Sequence, residues 1–181
     1  QGDFMRLSVV ILISILCSCR NEDSKDVIPI DVNDKSWSND HSVDFNQEIH
    51  NREELDIKIY LEHHKELKMT KSNTGLRYQI VENGNINEPL ASDGDFLTVN
   101  LKIGLLSGRI CYETDSIPDQ FVLGRSDRES GLQEALKMMR TNDLARLVMP
   151  SYMAHGLLGN SETIPPQSVL VVDVELLNIQ R

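Results

Sequence analysis

The chain of 181 residues has the length of one ordinary domain with additional segments, which excludes a second full domain. A hydrophobic content of 40% is sufficient to build a buried core. The formal net charge of -10 at pH 7 repels polyanions, so the composition argues against nucleic-acid binding.

The first residues have the layout of a secretory signal. Met5 and Arg6 precede a short apolar run over residues 7–16, and this run is too short to span a bilayer as a mature helix. We therefore expect a lipoprotein signal segment over residues 1–19. Asp3 weakens the basic start of such a signal, so we expect the true start at Met5.

A lipid attachment site is predicted at the end of this signal. Leu16, Ser18 and Cys19 resemble the lipobox of bacterial lipoproteins, in which a small residue precedes the lipidated cysteine. Cys17 fits less well, because Leu16 would then stand at the cleavage site. An ordinary cleaved signal with incidental cysteines is the alternative. Multiple acyl chains on Cys19 would anchor the protein firmly to a bacterial membrane.

The next two segments are a tether and a helix. The polar residues 20–43 predict a flexible acidic tether. An amphipathic helix is predicted over residues 44–68, because apolar residues recur there at helical spacing, namely Leu55, Ile59 and Leu67. His63 and His64 are adjacent rather than four residues apart, so this helix offers no metal site.

The remaining chain alternates between strand patterns and turn signals. A connecting segment over residues 69–89 contains one strand, and residues 97–105 alternate between apolar and polar side chains as a half-buried strand does. A short helix with one apolar stripe is predicted over residues 131–140. Further strands are expected at residues 109–113, 119–123, 145–149 and 170–177. These elements indicate the α+β class.

A specific resemblance appears at the end of the chain. The run from Ile164 to Leu177, with paired prolines and a strand ending Val-Glu-Leu-Leu, resembles the closing signature of FKBP domains. Three other segments match the family in order, at residues 105–108, 121–124 and 150–156. We therefore expect an FKBP-type domain over residues 90–181, with an antiparallel sheet wrapped on a short helix.

The resemblance to FKBP domains implies peptidyl-prolyl cis-trans isomerase activity. Rotation about an X-Pro bond faces a barrier of about 18–20 kcal/mol. An apolar pocket favours the twisted amide because rotation reduces the polarity of the carbonyl group, and no cofactor or metal is required. The implied partners are proline-containing polypeptide clients in the cell envelope.

The sequence departs from the family at the pocket. Several positions where FKBPs carry aromatic or other apolar residues are changed here, which predicts a wider and less selective pocket. Ile164 is retained. The pocket residues implied by the resemblance are Leu101, Cys111, Asp119, Phe121, Arg128, Glu129, Leu132, Ile164 and Val172.

Two further residues are candidates for a catalytic role. His155 replaces the tyrosine of an Ala-Tyr-Gly loop, and it either supplies the missing donor through its ring N–H or is a polar loop residue without a role. Tyr112 replaces an aspartate and should face away from the pocket unless a bulge redirects it. Cys111 is best explained as a small buried hydrophobe.

Three functions are compatible with these observations. The first is a weak isomerase that helps exported proteins to fold, held by lipid in the outer membrane and facing the periplasm or the cell surface. The second is a non-catalytic FKBP-like binding module with an altered pocket. The third is a subunit of an envelope machine, because the order of segments is similar to gliding-motility-associated FKBP lipoproteins.

Overall fold

The computed structural model describes residues 39–181. The predicted signal, Cys19 and most of the predicted tether lie outside these residues. Within them, no helix is long and apolar enough to cross a membrane. The elements in chain order are α1 (Asn39–His63), β1 (Thr70–Lys71), β2 (Arg77–Glu82), β3 (Phe96–Leu105), β4 (Ile110–Glu113), β5 (Asp119–Val122), α2 (Ser130–Leu136), β6 (Leu144–Met149) and β7 (Leu170–Gln180), with a 3₁₀ turn at Ser151–Met153.

The seven strands form one antiparallel sheet. Its order is β1-β2-β6-β7-β3-β4, and β5 also pairs with β3. The central strand β3 pairs with β7 along its whole length, with β5 near its start and with β4 near its end. β1 and β2 precede the predicted domain boundary at residue 90 but belong to the same sheet.

One face of the sheet is buried against α2. Alternate residues of β3 and β7 point to this face, as their period of two requires, and all are at most 3% exposed: Leu97, Val99, Leu101, Ile103, Leu170, Val172, Val174 and Leu176. From α2, Leu132 and Leu136 enter the same cluster. The predicted α+β class, with an antiparallel sheet on a short helix, is confirmed.

The opposite face of the sheet is partly covered by α1. Ile57 is fully buried there against Val148 and Val169. The predicted apolar stripe of α1 is wrong, because Leu55 and Ile59 are 55% and 45% exposed. The buried stripe consists of Ile49, Glu53 and Ile57, and the glutamate in its middle hides it from a count of apolar residues.

The ends of α1 also differ from the predicted range of 44–68. The helix begins at Asn39 and ends at His63. Its last helical bond joins the amide of His64 to the carbonyl of Tyr60, and residues 64–69 then turn toward β1. The amide of Lys68 donates to the side chain of Gln79 at 2.7 Å, so the chain has already left the helix at that point.

The second helix is shorter than predicted. The range 131–140 contains α2 only as far as Leu136. Beyond it, the amides of Met138 and Met139 bond to carbonyls three residues earlier, which tightens the chain into a turn. The amide of Arg140 donates to the carboxylate of Asp143 at 2.7 Å and ends the turn.

Candidate functional site

The apolar members of the predicted pocket meet in the main core. Leu101 on β3, Leu132 on α2 and Val172 on β7 are 2%, 1% and 0% exposed. Ile164 and Phe121 join the same cluster and are 4% and 8% exposed. The structure therefore brings these five side chains into one cluster, in which they present almost no surface to solvent.

The edge strand β4 carries Cys111 and Tyr112. The pairing of β4 with β3 shifts register between Ile103 and Gly104, so a bulge lies beside Cys111. The Cys111 thiol packs against the core and donates to the carbonyl of Thr163 at 3.4 Å. Tyr112 was expected to face away from the pocket residues unless a bulge redirected it, and this strand has such a bulge.

Tyr112, Asp119 and Arg128 form one polar network. The Tyr112 hydroxyl lies 2.9 and 2.8 Å from the two carboxylate oxygens of Asp119. An Arg128 guanidinium nitrogen lies 3.0 Å from Asp119 Oδ2, and its Cζ lies 5.6 Å from the centre of the Phe121 ring. Asp119, at the start of β5, is thus held by one hydroxyl and one cation.

Glu129 and His155 form a second polar pair. Glu129 directly precedes α2, and its Oε1 lies 3.1 Å from the Nε2 of His155. The Glu129 side chain is 8% exposed and the His155 side chain is 30% exposed. The other carboxylate oxygen, Glu129 Oε2, is buried and accepts no hydrogen bond from the protein. The carboxylate therefore engages the ring nitrogen that was expected to donate to a substrate.

These two polar groups replace the apolar wall that the family resemblance implies. The sequence identified Asp119, Arg128, Glu129 and His155 as separate substitutions and did not pair them. A signal for the pairing was present, since residues of opposite charge stand together at positions of one pocket. Pairing explains how a carboxylate is tolerated there, because a carboxylate that leaves water requires compensating charge and hydrogen bonds.

The loop before Ile164 is organised by residues that the sequence analysis missed. The side-chain oxygen of Asn160 accepts hydrogen bonds from the amides of Glu162, Thr163 and Ile164 at 3.1, 2.9 and 2.7 Å. Arg109 donates to the carbonyl of Thr163 at 2.7 Å. Asparagine side chains commonly bond the backbone in turns, which was the available signal for Asn160.

Helix α1 contacts the segments that border the pocket. Glu53 is 2% exposed and its Oε2 accepts a hydrogen bond from the amide of Ser151 at 3.0 Å. Arg52 donates to the side chain of Gln167. Glu54 accepts hydrogen bonds from Arg77, which lower the pKa of its carboxyl from 4.5 to about 2. The helix is therefore attached to the domain by both apolar and charged contacts.

Clefts lie beside α1, and another cleft, of about 290 Å³, includes the predicted pocket residue Leu101 in its lining. One cleft beside α1 has a volume of about 340 Å³ and lies at the β3–β4 turn, where Tyr60, Lys102 and Asp173 contribute to its lining. A second, of about 610 Å³, is lined by residues that include Leu55 and Arg77. Neither of these two is lined by a predicted pocket residue. Among residues 39–181, no group of three or more histidine, cysteine, aspartate or glutamate side chains could hold a metal ion.

Comparison with known families connects this fold to a function class. The sequence model described as FKBP-type peptidyl-prolyl cis-trans isomerase matches residues 88–177, which include β3 to β7 up to Leu177 and the whole candidate pocket. The chain belongs to the FKBP family. This agrees with the predicted resemblance, while the narrower likeness to gliding-motility lipoproteins stays a prediction.

Relatives in this family cover part of the chain. The isomerase FkpA of Escherichia coli K12 is 34% identical over 116 residues, which are 64% of this chain and 42% of that protein. The isomerase FKBP11 of Bos taurus is 33% identical over 93 residues, which are 50% of this chain and 45% of that protein. The chain thus spans less than half the length of these FKBP relatives.

Solved structures show the same architecture. The crystal structure of FkpA from Escherichia coli superimposes on this chain with a TM-score of 0.63 and 31% sequence identity. The matched region covers 77% of this chain and 64% of the FkpA chain. An isomerase structure from Pseudomonas syringae has a TM-score of 0.61 and 24% identity, covering 75% of this chain and 96% of that one. The second likeness indicates the FKBP fold alone.

Proposed function

We propose that this FKBP protein is a weak peptidyl-prolyl cis-trans isomerase that assists the folding of proline-containing proteins in a bacterial cell envelope. The observation that carries the proposal is the family match over residues 88–177 together with the clustering of Leu101, Leu132, Ile164 and Val172 at one site. The activity requires neither a nucleophile nor a metal, because rotation breaks no covalent bond.

The mechanism assigned to the site is stabilisation of a twisted amide. Apolar side chains around the proline favour the less polar twisted carbonyl, and the ring N–H of His155 donates one hydrogen bond to the prolyl nitrogen, whose lone pair becomes a better acceptor as the amide rotates. That N–H faces Glu129 in the described structure, so a bound peptide has to draw the ring away. Tyr112 acts on the site through Asp119.

The proposed activity is weak for a physical reason. Leu132 and Val172 expose almost no surface, and charged side chains stand at neighbouring positions of the pocket. A proline ring reaches these two residues only after covering side chains move. The free energy needed for that movement is subtracted from the binding of the transition state and raises the barrier.

A protease-coupled assay with a short X-Pro peptide tests the isomerase proposal. We expect a rate above the uncatalysed background and well below that of FkpA from Escherichia coli measured side by side. A rate equal to background, from protein with a cooperative melting transition, would contradict it. An exchange measurement by NMR, which uses no protease, controls for cleavage of the chain itself.

A non-catalytic binding module is the second candidate. The specific observation in its favour is the closed apolar floor, since Val172 is 0% exposed and Leu132 is 1% exposed. Such a module would bind a proline-containing segment at the charged rim without lowering the rotation barrier. Peptide binding by NMR titration in the absence of any rate above background would support this candidate.

Membrane anchoring is a separate part of the proposal. It rests on the lipobox at Leu16, Ser18 and Cys19. In cells that make the full chain, we expect Cys19→Ala to release the protein from the membrane fraction and Cys17→Ala to leave it there. The reverse pattern would show that Cys17 carries the lipid.

A further inference from the structure

Of the two acidic side chains at the candidate pocket, Asp119 and Glu129, Glu129 has the fewer hydrogen-bonding partners. Asp119 accepts hydrogen bonds from the Tyr112 hydroxyl and lies 3.0 Å from an Arg128 nitrogen. Glu129 Oε1 lies 3.1 Å from His155 Nε2, and its Oε2 is buried without a hydrogen-bond partner among residues 39–181. Native structures rarely leave a buried charged oxygen unsatisfied, because its desolvation is unfavourable, and the exceptions often have a functional role.

The charges near Glu129 also favour a positively charged ligand. The Arg128 guanidinium lies 3.0 Å from Asp119, whereas among residues 39–181 the ion-pair partner of Glu129 is the imidazole of His155 at 3.1 Å. The whole chain carries a net charge of -10, which attracts cations over longer distances. A ligand group that carries a positive charge and N–H donors would complete the hydrogen bonding of Glu129.

We infer that Glu129 selects peptide segments with a lysine or arginine next to the proline. The inference rests on the proposed function, because it assigns the peptide to the FKBP pocket. The ammonium or guanidinium group replaces the imidazole at the Glu129 carboxylate. His155 is the more exposed member of the pair, at 30% against 8%, so it is the side chain free to turn aside.

Displacement of His155 has a consequence for the reaction. Once the peptide cation occupies Glu129, the Nε2–H of the imidazole is released and can donate to the prolyl nitrogen of the twisted amide. A basic residue in the peptide therefore improves binding and also makes the donor available. A neutral peptide leaves the imidazole on Glu129 and meets a pocket whose donor is occupied.

The test uses three otherwise identical X-Pro peptides with lysine, leucine or glutamate at one position next to the proline, placed before it in one series and after it in another. Dissociation constants are measured by NMR titration with the full described unit, residues 39–181, which forms one compact unit. We expect the lysine peptide of at least one series to bind about tenfold more tightly than the leucine peptide, as one charge-assisted hydrogen bond would produce.

Two variants test whether Glu129 is responsible for the preference for the lysine peptide. Glu129→Gln keeps the shape of the side chain and removes its charge, so the lysine preference should fall to about twofold or less. Glu134→Gln is the matched control, because Glu134 is an acid of α2 whose carboxylate accepts from the Thr74 hydroxyl. It should keep the preference. In the parent protein, raising the salt concentration from about 0.05 to about 0.5 M should weaken the binding of the lysine peptide and not that of the leucine or glutamate peptide.

The outcomes separate this inference from the proposed function. Isomerisation without any preference for lysine, or a preference that survives Glu129→Gln, would overturn the inference alone. A lysine preference that depends on Glu129, without any isomerisation, would support the inference and contradict the isomerase. If no peptide of either series binds, both are wrong. If Glu129→Gln fails to fold, the NMR titration of the parent decides the matter, because the lysine peptide should shift the signals of Glu129 and His155, and shifts confined to other residues would overturn the inference.

Discussion

At the scale of single residues, the pocket wall shows how a charge is accommodated beside a core. Asp119 is 17% exposed in its side chain and would be strongly destabilising if it stood alone. The Tyr112 hydroxyl and the Arg128 guanidinium surround it, so the carboxylate remains hydrogen-bonded after it leaves bulk water. The three side chains should therefore behave as a unit when they are changed.

A double-mutant cycle measures this coupling. We expect Asp119→Asn and Arg128→Gln to be coupled by about 1 kcal/mol in the free energy of unfolding, because both side chains are partly buried and 3.0 Å apart. Urea unfolding of the parent, both single variants and the double variant gives the value. Strictly additive effects would show that the ion pair contributes nothing.

A second prediction concerns His155 and the rate of isomerisation. His155→Phe keeps the bulk of the ring and deletes its N–H, so one hydrogen bond of about 1 kcal/mol is lost in the transition state. The isomerisation rate with a lysine-containing X-Pro peptide should fall several-fold. His63→Phe makes the same change at an exposed position of α1 and is the control, which should leave the rate unchanged. An unchanged rate in His155→Phe would favour the binding module.

At the scale of elements, α1 is part of the folded unit. Its side chain Ile57 packs against Val148 and Val169. Its Glu53 accepts a hydrogen bond from the amide of Ser151, in the segment that leads to His155. The helix therefore fixes the position of a segment at the pocket border. Its other side leaves Leu55 and Ile59 exposed.

Two substitutions on α1 test which side is packed. Ile57→Ala removes a side chain that is 0% exposed and should lower the free energy of unfolding by about 2–4 kcal/mol. Leu55→Ala, two residues away and 55% exposed, should change it by at most about 0.5 kcal/mol. Urea unfolding of both variants checks the assignment. Equal losses of stability, or a larger loss for Leu55→Ala, would show that the side of α1 with Ile57 is not the packed side.

At the scale of the whole molecule, the attachment of α1 to the sheet depends on pH. Hydrogen bonds from Arg77 lower the pKa of Glu54 from 4.5 to about 2. A carboxyl whose pKa is lower in the folded state stabilises the fold above its ordinary pKa. This contribution is lost as the pH falls from 4.5 toward the folded value of about 2.

A comparison with Glu54→Gln isolates this effect. We expect the parent to be more stable than the variant above about pH 5, and the difference to shrink as the pH falls toward about 2. Urea unfolding of the two proteins across this range measures the difference. Glu48→Gln, at an exposed position of the same helix, is the control. A difference between parent and Glu54→Gln that is independent of pH would contradict the assignment.

Predictability from the sequence varied with the kind of contact. The strand pattern of residues 97–105 and the FKBP resemblance of residues 164–177 located the sheet and the family. The pairs of Asp119 with Arg128 and of Glu129 with His155 were not predicted, because neither has a periodic signal. The packed side of α1 was predicted wrongly, because Glu53 interrupts its apolar stripe and Leu55 and Ile59 form an exposed one.

The sequence by itself determined the α+β class, the FKBP-type sheet and the family. These follow from local alternation and from motifs, which need no knowledge of distant contacts. Only the tertiary structure decided which charges pair, which face of α1 is buried and whether the apolar floor is open. Those outcomes depend on the energy of side chains brought together from separate strands and loops, since a buried charge is acceptable only beside its partner.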